Sequence, residues 1–356
     1  MTKRILFLGE NWFGSCARAC CHALRRLGCE VADFDAQTIF PQLRRRSLRA
    51  ILRVAEPQLI REYNEQVREL AQRFEPDIFL AFKGAYVQPR TLRTMREAGI
   101  ALYNYFPDTS AFAHGSLLSH TLPLYDCLFL TKRFLDRDLR AHISLRESMF
   151  LPHGYDPELH QPRELDARDH ARFAHDVGVV ATHSRAKEEL LTELVTLRPQ
   201  LDLRIWGNLW KENNRSSRLG RFIEGAPLNG TSYAKALSAF RINLALLSGP
   251  VAGASRGDET TTRTYEIPAC GGFMLHERTD EVLELFAEGT EMACFGSATE
   301  LADKIDYYLA HAEERGQIAA AGRSRCVPAY SYDNRMTEII RWHEQHSIGE
   351  VDRLPA

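Results

Sequence analysis

Short apolar runs alternate with helical stretches along most of this chain, and that alternation restricts it to an α/β architecture. Residues 4–9 read as a strand ending in glycine, 15–27 as a helix closed by Gly28, and 30–34 as a second strand. A helix over 57–74 opens with Pro57 near its first turn, where proline is tolerated. Strands follow at 77–82, 101–105 and 126–130. Then the rhythm breaks. Pro152, Pro157 and Pro162 crowd one crossing, and residues 163–175 are densely charged. The alternation restarts at 176–180, with a helix over 185–197, strand 202–206 ending at Gly207, helix 232–240 and strand 242–247. A helix carrying Glu266, strand 273–275, helix 280–287, strand 292–295 and helices over 299–311, 313–326 and 332–345 complete the chain. Strands separated by helices pair in parallel. The reading is two Rossmann-like, doubly wound domains, 1–155 and 176–330. A linker, 156–175, joins them, and a helix and tail, 331–356, pack back on the first domain. Two such units imply a cleft, and ligands of open α/β sheets bind beyond the carboxyl ends of the strands.

Length agrees, since 356 residues suit about two domains. A hydrophobic content of 44% and a charged content of 26% are those of a soluble globular protein. The net charge of −2 gives no electrostatic case for nucleic acid as a partner. No window approaches the roughly 18 apolar residues of a membrane span. The run 5–9 is too short for a signal-peptide core, so a cytoplasmic location is expected. The eight cysteines, Cys16, Cys20, Cys21, Cys29, Cys127, Cys270, Cys294 and Cys326, include no C-x-x-C pair. Cys16 and Cys20 lie one helical turn apart beside Cys21 and His22. Half-buried thiols account for them better than a metal site.

Chemistry concentrates at Thr262-Arg263-Thr264-Tyr265-Glu266-Ile267-Pro268-Ala269-Cys270-Gly271-Gly272-Phe273, a helix running into a glycine turn and a buried strand. Arg263 and Glu266 leave one helical face. A carboxylate can accept two hydrogen bonds from a vicinal diol, and a guanidinium can grip a phosphate bidentately. One face offering both suits a ribose diphosphate, the handle of an activated sugar. The competing reading is a surface ion pair beside an ordinary αβ turn. In the first half, Gly9-Glu10-Asn11-Trp12-Phe13-Gly14-Ser15 has the glycine spacing of a phosphate loop but lacks its lysine, which argues against an NTPase. Asp108 and His114 follow strand 101–105, where either could act as general base; Asp108 after Pro107 also fits a simple turn. No G-x-S-x-G elbow is present. Arg44, Arg45, Arg46, Arg49 and Arg53 interleave with Leu43, Leu48, Ile51 and Leu52. This segment, 44–53, reads first as a solvated helix face. Its second reading is contact with an anionic lipid-linked acceptor or the inner membrane surface.

The segment 263–275 resembles the R-x-x-E-x-x-A-C-G signature of the CgeB-like (spore maturation protein) branch of the GT-B glycosyltransferases. Leu285-Phe286, Gly289, Glu291, Glu300-Leu301, Tyr307-Tyr308-Leu309, Arg315, Ala321-Gly322, Tyr330-Ser331-Tyr332 and Arg335 follow in the family's order. Phe82-Lys83-Gly84, Tyr105-Phe106-Pro107-Asp108, Leu124-Tyr125-Asp126 and Leu151-Pro152-His153-Gly154-Tyr155-Asp156 extend the match more loosely into the first half. The resemblance implies a GT-B fold and a glycosyltransferase using a nucleotide-diphosphate sugar. It implies that Glu266 binds ribose hydroxyls and that Asp258, seven residues between, faces the donor sugar. Asp258 is one methylene shorter than the family's usual glutamate. Arg185 and Lys187 would hold the diphosphate near a helix start, with Gly207 and Arg263 completing the donor side; alanine stands at 181 where the family has glycine. Gly9, Asn11 and Gly14 would face the acceptor, with Asp108, His114 and Glu10 as candidates for deprotonating it. The acceptor would be a glycan, a lipid-linked or a small molecule. Cationic side chains and helix ends would stabilise the leaving diphosphate, so neither metal nor further cofactor is expected. Two rivals stand beside this reading: a nucleotide-sugar epimerase of the same fold, and a non-catalytic assembly protein that kept the fold.

Overall fold

Each strand of the first half carries apolar side chains on both faces, as a parallel sheet covered on both sides requires. The computed structural model describes residues 2–40 and 46–351, which separate into two units. The first comprises Met1–Pro152, Val251–Arg256 and Tyr332–Ala356; the second comprises His153–Pro250 and Gly257–Ser331. In the first, β1 (Arg4–Gly9), β2 (Glu30–Asp35), β3 (Ile78–Phe82), β4 (Ala101–Phe106), β5 (Cys127–Leu130) and β6 (Glu147–Phe150) form one parallel sheet, ordered β2-β1-β3-β4-β5-β6. Successive residues face opposite sides. Leu6, Leu8, Phe79 and Leu102 therefore pack on Tyr63, Val67, Leu92 and Met95 of the helices on one face. Ile5, Phe7, Leu80 and Tyr103 pack on Cys20, Leu24, Met336 and Ile339 on the other. Helix Tyr332–Val351 thus covers this sheet, and Arg26 pairs with its Asp333. The stretch Val251–Arg256 is also fastened here: Ser110 Oγ donates to Ala252 O (2.8 Å), and the Ser255 N–H donates to Asp138 (2.7 Å).

In the second unit β7 (Val177–Val180), β8 (Leu203–Trp206), β9 (Ile242–Ala245), β10 (Met274–Glu277) and β11 (Ala293–Phe295) form a parallel sheet ordered β11-β10-β9-β7-β8. Both sheets share one topological device. The first strand of each lies between the two that follow it in sequence, so the chain winds in opposite directions on either side. A crevice opens there at the carboxyl ends, between β1 and β3 and between β7 and β9.

Three boundaries differ from the sequence reading. The helix expected from residue 57 begins at Arg46 and carries Pro57 inside it; proline removes one N–H donor but does not by itself end a helix. Strand β6 had no sequence counterpart, because its four residues lack an alternating or bounded apolar pattern. Within the expected linker, Ala167–Phe173 is a helix of the second unit. Asp166 caps it, Asp169 pairs with Lys235 (2.5 Å), and Phe173 is buried. Its dense charge is the outer face of a short helix. Arg44 and Arg45 lie outside the described residues, as do the side chains of Arg46, Arg49 and Arg53.

Gly207 follows β8 with φ +141°, and a Cβ there would meet Ala181 O at 1.9 Å. That carbonyl also accepts the Trp210 indole N–H (2.7 Å). Gly207→Ala should therefore lower stability by about 2–4 kcal/mol through backbone strain and overpacking. Gly220→Ala, with nothing within 4 Å of the added methyl, is the control and should melt like the parent. Thermal denaturation of the two variants decides it.

Candidate functional site

In the second unit the crevice between β7 and β9 is bridged by a buried lysine. The chain leaves β7 through residues 181–184 and enters helix Arg185–Leu197, whose first turn Ser184 caps by accepting the Lys187 N–H. Lys187 is 3% exposed. Its Nζ donates to Ser248 Oγ (2.6 Å), just beyond β9, and to Thr182 O (3.3 Å). Burial, then the nearby Arg263 charge, pull its pKa down to about 8; Asp258 and Glu277 oppose them. Arg263 opens helix Arg263–Ala269 and donates through Nη2 to Leu246 O (2.9 Å), while its Nε is buried with no hydrogen-bond partner. Asp258 faces Ser248 twice: its N–H donates to Ser248 O (2.8 Å), and its carboxylate accepts the Ser248 N–H (3.3 Å). Glu277 ends β10 and accepts the Leu247 N–H (2.6 Å); burial pushes its carboxyl up.

Glu266 and Arg263 are not a surface ion pair. Glu266 is 6% exposed, and its Oε2 accepts the Tyr233 hydroxyl (2.7 Å). His160 Nε2 stands 3.8 Å from Oε1. The helix carrying both residues is set against β10 by a buried chain of hydrogen bonds. His276 Nδ1 faces Glu277 O (2.6 Å), an acceptor only, so Nδ1 carries the proton. Its Nε2 then accepts from Thr264 Oγ1 (2.9 Å), which itself accepts the Thr261 N–H (3.0 Å). Burial pulls His276 down to about 4, so the ring is neutral.

Lys187, Asp258, Arg263 and Glu266 are therefore gathered around the helix Arg263–Ala269 and the strand ends beside it. Arg185 is not: it lies in solvent, paired with Glu189 one turn on (2.6 Å). Gly207 serves the close approach to Ala181 described above. Ser248, Glu277, His276, Tyr233 and His160 were not read from sequence as site residues. Ser248 and Glu277 sit just past or at strand ends and could have been nominated by that position. Tyr233 and His160 carry no such signal.

The first unit has its own cavity of about 280 Å³ at the carboxyl ends of β1, β3 and β4. Glu10, Lys83 and Asp108 line it together with Trp12, Tyr63, Phe82 and Tyr86. Lys83 Nζ lies 2.8 Å from Asp108 Oδ2. Lys83 has φ +67°, unusual for a residue with a side chain, and Gly84 follows at φ +71°. Such conformations persist where surrounding structure holds them, often at functional sites. Gly9 also borders the cavity. Asn11 anchors the loop instead, through Asp33 (2.9 Å) and Asp35 (3.1 Å), and Gly14 supplies a turn at φ +95°. The side chain of His114 lies outside the described residues. Among the described residues, no group of three or more His, Cys, Asp or Glu is placed to hold a metal ion, and no helix is long and apolar enough to cross a membrane.

The family described as glycosyl transferase-like matches residues 185–341. A sucrose-phosphate synthase from Thermosynechococcus elongatus superimposes with a TM-score of 0.69 at 14% identity, over 98% of this chain and 100% of that one. A glycosyltransferase from Rickettsia africae gives 0.66 at 11% identity, over 97% and 98%. Anabaena HepE, in complex with UDP and glucose, gives 0.62 at 14% identity, over 96% and 100%. No curated protein sequence matches. The fold is GT-B, with two Rossmann-like domains.

Two buried or half-buried cations at one crevice favour an anion. With a folded pKa near 8 against the usual 10.5, Lys187 is charged below about 8 and neutral above it. Pyrophosphate binding, followed by calorimetry, should therefore weaken as pH rises through 8, and Lys187→Met should remove that step. The folding linkage has the opposite sign. Between about 8 and 10.5 the unfolded chain binds the extra proton, so stability contributed by this group rises with pH in that window. Arg185→Met should alter pyrophosphate affinity far less than Lys187→Met.

Proposed function

We propose that this protein is a glycosyltransferase that moves a sugar from a nucleotide-diphosphate donor to an acceptor hydroxyl. The observation that carries the reading is the convergence, within the second unit, of Lys187, Arg263 with its unpartnered buried Nε, and the carboxylate of Glu266. Cations beside a carboxylate match a diphosphate joined to a ribose. Lys187 and Arg263 would take the charge that develops on the leaving diphosphate, in a site where burial strengthens each interaction. Glu266 would accept from the ribose hydroxyls. Asp258, already engaged with the Ser248 backbone, would present what remains of its carboxylate to the donor sugar. The likeness to a protein complexed with UDP and glucose supports a nucleotide-sugar donor.

The cavity of the first unit suits the acceptor. Its aromatic walls fit the apolar faces of a sugar, and Glu10 and Asp108 can accept from its hydroxyls. Asp108 is the proposed base, with Lys83 holding its carboxylate in place. An epimerase of the same fold would act on the donor alone and would leave this cavity unexplained. Conversion of a donor in the absence of any acceptor is the result that would favour it.

Glu266→Ala should weaken nucleoside diphosphate binding about tenfold or more, the equivalent of losing one charge-assisted hydrogen bond. Calorimetry with UDP, GDP and ADP, beside a thermal melt to check the fold, measures this. Unchanged affinity would remove Glu266 from the donor site. Asp108→Asn should cut turnover by about 10²–10⁴ at unchanged donor affinity if the product anomer is inverted. If configuration is retained, no protein base is obligatory and the loss should be small. Anomeric assignment of the product and the mutant rate are therefore read together.

A further inference from the structure

Alternate residues of β4 share one face of the first sheet; on the face where Leu102 and Phe106 join the apolar core, the residue between them is Asn104. Asn104 is fully buried, in register with Ala81 of β3 and Leu128 of β5. An amide placed in an apolar layer costs free energy unless it is hydrogen-bonded. Its Nδ2 donates to Lys83 O (3.0 Å), just where the chain leaves β3 for the cavity. That carbonyl belongs to an unusual turn. The Gly84 N–H donates to Phe82 O (2.9 Å), closing three residues around Lys83, while the Lys83 N–H donates to Tyr105 O (2.9 Å). With φ +67° at its centre, this is the strained hand of the three-residue turn. Gly84 continues it at φ +71°, where a Cβ would stand 3.0 Å from the Tyr125 hydroxyl and 3.1 Å from Asn104 Nδ2.

We propose that Asn104 is a positioning residue of the acceptor side: by holding the Lys83 carbonyl it keeps residue 83 in the left-handed turn, and that turn delivers the Lys83 ammonium to the Asp108 carboxylate. The inference deepens the acceptor reading above, in which Asp108 is the base, and rests on it. The backbone conformation of a residue sets the direction in which its side chain leaves. Lys83 Nζ reaches Asp108 Oδ2 (2.8 Å) from the left-handed turn. Relaxed to negative φ, the same lysine would leave the backbone on another course. A strained conformation persists only where its surroundings over-determine it, and the buried amide supplies that constraint. Among the described residues lining the cavity, Lys83 is the one cation; Glu10, Cys16, Tyr63 and Tyr86 are the other titratable groups there beside Asp108. Burial pushes the Tyr63 and Tyr86 hydroxyls up, so both are neutral, and Glu10 is a second carboxylate. Lys83 is therefore the cavity group that favours the ionised form of Asp108, the form able to accept a proton.

The test is the titration of Asp108 in the full chain, followed through the carboxyl carbon signal of isotope-labelled aspartate and assigned with Asp108→Asn. It needs no substrate. Both side chains of the ion pair are about one-third exposed, so the shift is modest. Lys83→Met should raise the Asp108 pKa by about half a unit or more. Asn104→Ala should raise it by a comparable amount, and in the Lys83→Met background it should add nothing further. An amide with a merely structural role would loosen the cavity whether or not the lysine stood there, and its effect would persist in the double variant. If Asn104→Ala melts early, Asn104→Ser, which keeps a polar group but is too short to reach Lys83 O, carries the same comparison. An Asp108 titration unmoved by Lys83→Met overturns the inference. So does one unmoved by the Asn104 variants, or moved again in the double variant. Failure of the acceptor reading shows separately: an inverting enzyme whose turnover is indifferent to Asp108→Asn removes the base and leaves the titration result standing.

Discussion

An ammonium group with almost no solvent around it is the constraint on which the second unit turns. Lys187 spans the crevice between β7 and β9, tied to Ser248 on one side and to Thr182 on the other. Taking a charge out of water costs several kcal/mol unless partners replace the water. Here the two hydrogen bonds and the fields of Asp258 and Glu277 are opposed by Arg263, so compensation is incomplete. The neighbouring arrangement follows from that imbalance. Asp258 is held to the backbone of the same Ser248 whose hydroxyl receives Lys187, Glu277 is held by the Leu247 N–H, and Arg263 is held by Leu246 O. All three anchors belong to the residues that follow β9. One short stretch of chain therefore fixes two cations and two carboxylates.

The two units show how far topology alone can locate a site. Each sheet reverses its winding beside its first strand. In each, the charged side chains of interest stand at the carboxyl ends of that strand and its neighbours: Lys187 and Ser248 in one, Glu10, Lys83 and Asp108 in the other. The strategies differ. The second unit withdraws Lys187 and Glu277 from water and so shifts their titration. The first keeps Lys83 and Asp108 partly open and accepts an unfavourable backbone conformation to bring them together.

Most of the fold was legible because its strands are apolar on both faces and several of its helices are amphipathic or capped. Ser184 before 185–197 and Gly28 after 15–27 are local signals, and local signals survive in sequence. The shared helical face of Arg263 and Glu266 was legible for a related reason: i,i+3 spacing is a short-range property. The resemblance had paired Arg185 with Lys187, two residues apart, near the start of helix 185–197. In a helix that separation puts them on different faces, one inward and one in solvent against Glu189. Tyr233 and His160 were not legible, since their meeting with Glu266 is made by packing between segments 33 and 106 residues away (266 − 233 and 266 − 160). The helix Ala167–Phe173 was missed because a single buried phenylalanine carries its inner face, and surface charge hid it among linker-like residues.

The covering of the first sheet by helix Tyr332–Val351 has a consequence for the order of assembly. The six strands of that sheet are complete by Phe150, yet Met336 and Ile339, which close one of its faces over Ile5, Phe7 and Tyr103, are made only after the whole second unit. A ribosome releases the chain from its amino end. The second unit, ending at Ser331, can therefore be complete while the first still presents a strip of uncovered aromatic and aliphatic surface. Vulnerability to aggregation and to chaperone capture is concentrated in that interval. A nascent chain stalled before residue 332 would be an incomplete first unit attached to a finished second one.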